Sequence, residues 1–155
     1  MLAFFPMLLL CALAAPSLRA VGTFAMTEPA FAHLVGSDLV ITSFSGSPFT
    51  AGSVWRVSNF TGRGWASRVS GFAPVRIAGG LQWPNNITPA PIGGFVFGDG
   101  FLVPGKSNGA VFWVDAGLTV RRLTTPDKGW FYHKALFFDG ERTRSTFFFF
   151  LLTAQ

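Results

Sequence analysis

The chain has 155 residues, with 50% hydrophobic and only 12% charged side chains, 19 Phe, 18 Gly and 10 Pro. Its net charge of +5 comes from scattered Lys and Arg rather than a run or stripe, which argues against nucleic-acid binding. One Cys excludes a disulfide framework, and the absence past residue 21 of any window that sustains a 3.6-residue period for three turns excludes a helical domain.

In chain order, Met1 to Ala20 reads as a secretory signal peptide. Leu2 to Ala15 is uncharged, Leu8 to Leu13 is strongly apolar, and Ala14, Ala15, Ser17 and Ala20 are the small residues a signal peptidase prefers. Cleavage after Ala20 or after Ala14 fits. The apolar run of about a dozen residues falls short of the roughly 20 that a membrane span needs, so no transmembrane span is expected. Cys11 lies inside this leader, so residues 21–155 carry no thiol. Those residues hold 11 Lys+Arg and 7 Asp+Glu, because Arg19 is the one charged side chain before them. They suffice for one domain with a real core. The expected destination is extracellular.

Residues 21–146 alternate short apolar runs with Gly- and Pro-rich breaks, the pattern of strands joined by turns. Strands are expected at Asp38–Phe44, Gly52–Val57, Trp65–Val69, Val75–Ile77, Phe95–Phe97, Phe101–Val103, Ala110–Val114, Leu118–Leu123 and Trp130–Phe138. Leu81–Gly94, with Pro84, Pro89 and Pro91, reads as loop. Asn108-Gly109 reads as a hairpin turn, since both residues tolerate positive φ.

The stretch beginning at Asp38 and ending in Gly52-Ser-Val-Trp-Arg-Val57 is echoed from Asp99 to Gly109-Ala-Val-Phe-Trp-Val114. Trp130–Asp139 begins a third copy. Repeats of four-stranded units at periods of about 40 to 50 residues are the sequence mark of β-propellers. The expected fold is therefore all-β, built of antiparallel sheets as an incomplete β-propeller-like structure of two to three blades. A β-sandwich with naturally similar strands is the alternative.

The segment Thr124–Gly140, together with Gly109–Asp115, resembles the blade boundary of FG-GAP/VCBS-type β-propeller proteins. The resemblance covers Asp99 to Asp139 and extends loosely to Asp38–Val57. In that family an apolar strand runs into an Asp- and Gly-rich calcium loop. The corresponding loop here, Asp139-Gly-Glu-Arg-Thr-Arg144, offers Asp139 and Glu141 as the metal ligands the resemblance implies. Two carboxylates beside Arg142 and Arg144 are few for calcium, which takes six to eight oxygens, so weak calcium binding or none is expected.

Asn59-Phe60-Thr61 and Asn86-Ile87-Thr88 are sequons, expected to accept glycans in an exported eukaryotic protein. No nucleophile–base–acid set forms around the two histidines, His33 and His133, and no phosphate loop or nucleophile elbow is present. Residues 147–155, with Phe147–Phe150 and Leu151-Leu152, form an apolar tail that reads as the end of a truncated product. The function expected is a secreted propeller-like binding or structural module whose Trp, Phe and loops meet an extracellular protein or carbohydrate. The alternative rests on a similarity of Trp83–Ile87 and Asn108–Asp115 to gluconolactonase and strictosidine-synthase propellers. It implies a metal-dependent hydrolase, with Asn85 or Asn86, Asp99 and Asp115 as ligands.

Overall fold

The computed structural model of the chain describes residues 26, 28–44, 51–62, 73–101, 106–125, 127–128, 131–138 and 146–152. These residues form strands and turns only. No helix among them is long and apolar enough to cross a membrane. Among the described residues the fold is all-β and antiparallel, without a closed barrel.

Sheet I is a meander of β1 (Pro29–Val35), β2 (Asp38–Ser43), β3 (Gly52–Val57) and β4 (Val75–Leu81), in that order. Sheet II is a second meander of β5 (Asn85–Pro89), β6 (Phe95–Asp99), β7 (Asn108–Val114) and β8 (Val120–Arg122). The short β9 (Asp127–Lys128) also pairs with β7. A hairpin of β10 (Phe131–Phe138) and β11 (Thr146–Leu152) completes the described structure.

Several expectations need correction. Leu81–Gly94 is not all loop, because β5 lies within it. Pro84 and Pro89 are compatible with that strand, since it sits at the edge of sheet II and Pro89 is its last residue. Its ladder is irregular between Asn85 and Thr88, where Asn86 has φ 27°. Asn108-Gly109 does not make a hairpin turn. The pair opens β7, with Asn108 opposite Lys128 and Gly109 opposite Asp127. The chain turns earlier, where the Ser107 hydroxyl accepts the Phe101 N–H. The strand before that turn ends at Asp99, so Phe101 lies outside it. β1 was unforeseen. Trp65–Val69, Leu102 and Val103 fall outside the described residues. Part of the apolar tail is β11, laid against β10.

Three sheets stack in sequence. Val40 and Val54 of sheet I meet Ile87, Phe95, Phe97 and Val114 of sheet II in one core. On the opposite face of sheet II, Val96 and Val111 meet Tyr132 and Ala135 of β10 in a second core. All five residues of β6 are therefore buried, since both faces are covered. Burying Phe95 and Phe97 contributes about 2–3 kcal/mol each before entropy is counted. The β10 backbone approaches so closely that a Cβ on Gly98 would overlap the Tyr132 carbonyl oxygen. Thr88 Oγ1 donates to the Ala135 carbonyl at 2.7 Å, tying β5 to β10 as well.

The two meanders are equivalent in register. Setting Val54 on Val111 and Val57 on Val114 places β3 on β7, and the observed pairings then carry Val40 onto Val96 and Ile41 onto Phe97. Both pairs of strands are joined by eight-residue connections, 44–51 and 100–107. Val40 and Val54 face sheet II, whereas their equivalents Val96 and Val111 face β10. The same side of each sheet thus covers the next one, which is a head-to-tail stack rather than two sheets facing each other through equivalent surfaces. Asp99 is not the counterpart of Asp38. It matches Ser43, so the two aspartates lie at opposite ends of their sheets.

Candidate functional site

A cleft of about 320 Å³ opens at one end of the first interface. Sheet I contributes Val35, Gly36, Asp38, Val40 and Arg56. Sheet II contributes Pro89, Gly94 and Phe95 together with the turn residues Asp115 and Leu118. The volume is at the lower end of the range for small-molecule sites, and the lining is mostly apolar with a few charged groups, as such sites usually are.

Pairing places Arg56 opposite Val40, on the face turned to sheet II. Its Nε donates to Asp38 Oδ2 at 2.6 Å. The other oxygen, Asp38 Oδ1, accepts the Asn59 N–H at 2.7 Å. That bond holds Asn59 at φ 52° in the turn after β3, where Thr61 N–H also reaches the Ser37 carbonyl. The Arg56 and Asp38 side chains are 29% and 20% exposed, so the pair is partly desolvated and worth more than an open surface bridge. Beyond this bond, the Arg56 side chain makes no other hydrogen bond among the described residues.

The opposite wall is built from tight turns. Gly93 and Gly94 adopt φ 92° and 75°, and a Cβ on Gly94 would overlap the Val114 carbonyl, so glycine is required there. Ala90 and Gly94 close the connection through the Ala90 N–H to Gly94 carbonyl bond. Asp115 spends itself on its own turn. Its Oδ1 accepts the Thr119 N–H at 2.8 Å, and its Oδ2 lies 3.8 Å from Arg121 Nη2.

The position equivalent to Arg56 in sheet II is Trp113. Trp113 packs against the second core, and Arg121 sits over its ring at 5.7 Å. Arg122 covers Phe112 in the same way on the other face of the sheet. An indole thus occupies in the second interface the place that a narrower guanidinium holds in the first.

The residues singled out from sequence do not gather. Asp139 and Glu141 lie outside the described residues. Asn59 is exposed on its turn, whereas Asn86 is half-buried within β5 between buried Asn85 and buried Ile87. Asn85 and Asp99 do share a turn. The Asn85 amide donates to the Trp83 carbonyl, and the Asp99 carboxylate accepts the N–H groups of Gln82 and Trp83. Burial pushes the Asp99 carboxyl up from 3.8 to about 6, against the backbone N–H groups of Gln82, Trp83 and Gly100 and the charge of Arg122, which pull it down. Asp115 is at the far end of the same strands, about 17 Å away by strand rise, beyond Val114, which pairs with Phe95. No group of three or more His, Cys, Asp or Glu converges among the described residues.

Sequence reasoning missed Arg56 and Asp38. The signal was present: Gly-Ser-Val-Trp-Arg-Val set on Gly-Ala-Val-Phe-Trp-Val puts a charge where the repeat has an aromatic. No family model matches the sequence, and no curated protein or solved structure matches it either.

Proposed function

We propose that the chain is a propeller-type binding module of the secretory route, and that its ligand site is the cleft between sheets I and II. The observation that carries this reading is the departure from the repeat at Arg56. A stacked-sheet protein closes its interfaces with apolar side chains, as Trp113 does in the second one. Replacing that aromatic with a partly desolvated ion pair forgoes packing and leaves a lined space. The two consecutive four-stranded meanders, in register and stacked head to tail, support the blade reading. The leader-like residues 1–20 support export.

Ligand-observed NMR on the full chain, with small aromatic probes of each charge, tests the site. Backbone amide shifts should then concentrate at Gly93, Gly94 and Leu118. Silence from every probe, or shifts confined to another part of the molecule, would contradict the proposal.

A further inference from the structure

The geometry points to a ligand class for this cleft: a small molecule that carries a carboxylate on an apolar body, with Arg56 as the carboxylate's partner. The inference rests on the cleft being the ligand site. A guanidinium has five N–H donors in a planar fork. Arg56 commits its Nε to Asp38, and the end-on pair of Nη groups has no hydrogen-bond partner among the described residues. That pair has the spacing to grip both oxygens of one carboxylate.

The acids of the cleft are answered within their own turns. Asp38 accepts from Arg56 and from the Asn59 N–H, one bond to each oxygen. Asp115 accepts the Thr119 N–H and faces Arg121. A cationic ligand would have to compete with these partners, whereas an anionic one meets open donors. Val35 and Leu118, both half-buried at the cleft, offer apolar surface for the rest of the molecule.

Titration of the full chain with phenylacetate, phenylacetamide and phenethylamine, followed by NMR, tests the class. Phenylacetate should bind at least about tenfold tighter than the uncharged amide. Arg56→Gln should erase that advantage. Arg56→Lys, which keeps the charge and loses the fork, should shrink it, and it carries the test if the glutamine variant does not fold. Equal binding of acid and amide, or tighter binding of the amine, would overturn the carboxylate class and leave the cleft as a binding site. Binding of none of the three would count against the site itself.

Discussion

Asp99 shows how burial and hydrogen bonding compete over one carboxylate. Its oxygens cap the turn that leads from sheet I into sheet II, yet desolvation raises its pKa to about 6. Because its folded-state value lies above 3.8, Asp99 stabilises the fold fully below pH 3.8, and that contribution is lost as pH rises through 6. The loss amounts to at most about 3 kcal/mol. Denaturant melts of wild type and Asp99→Asn at several pH values should therefore differ in slope between pH 4 and 7, the variant being flatter. Parallel curves would show that Asp99 titrates as it does in the unfolded chain. Gly98 makes a second prediction at this scale. Gly98→Ala should destabilise by about 2 kcal/mol or more, because the added methyl meets backbone that cannot step aside. Sequon use should follow exposure. In a eukaryotic host, Asn59→Gln should remove one glycan from the secreted product, and Asn86→Gln should leave its mass pattern unchanged. A glycan on Asn86 would mean that β5 is open when the transferase acts.

The strands that sequence reading located best are those whose composition admits one environment. Gly52–Val57 was found to the residue from its alternation, although its buried residues Ser53, Val54 and Val57 lie on both faces rather than one. Phe95–Phe97 was found because such a run has nowhere to go but between layers, and of the expected Trp130–Phe138 the described part, Phe131–Phe138, is a strand. β5 was missed because Pro84, Pro89 and Pro91 outweigh four strand residues when its edge position is unknown. Asn108-Gly109 misled because its turn preference is local, whereas a pairing with β9 is not. The docking of β10 is an element-scale claim with its own test. Thr88→Val should cost about 1 kcal/mol and speed amide exchange in β10 more than in β2, since the lost bond to the Ala135 carbonyl is one of the ties across that interface. Uniform acceleration throughout the chain would mean that β10 has no separate docking energy.

At the scale of the molecule, the repeat was legible, and in phase at Gly52–Val57 and Gly109–Val114, but not at the strands before them. Two aspartates drew the eye into matching Asp38 with Asp99, whereas the pairings match Asp38 with Gly94 and Ser43 with Asp99. The correct phase turns a vague echo into a head-to-tail stack and exposes Arg56 as the exception to it. The candidate site was therefore latent in the sequence, hidden because a charge in a strand reads as solvent-facing until the next layer is known. Expressed in a secreting cell, the chain should reach the medium with Val21 or Ala15 at its new N-terminus, as read by terminal sequencing. Retention with the leader uncut would remove the extracellular setting of the proposal.

The most direct trial of the account is the substitution that restores the repeat, Arg56→Trp. If the cleft exists because a guanidinium stands where the stack calls for an indole, the variant should fill it. Thermal unfolding should then shift upward by the equivalent of about 1 kcal/mol, and aromatic probes should no longer perturb Gly93, Gly94 and Leu118. A lower melting temperature with probe binding unchanged would contradict the equivalence of Arg56 and Trp113, and with it the site.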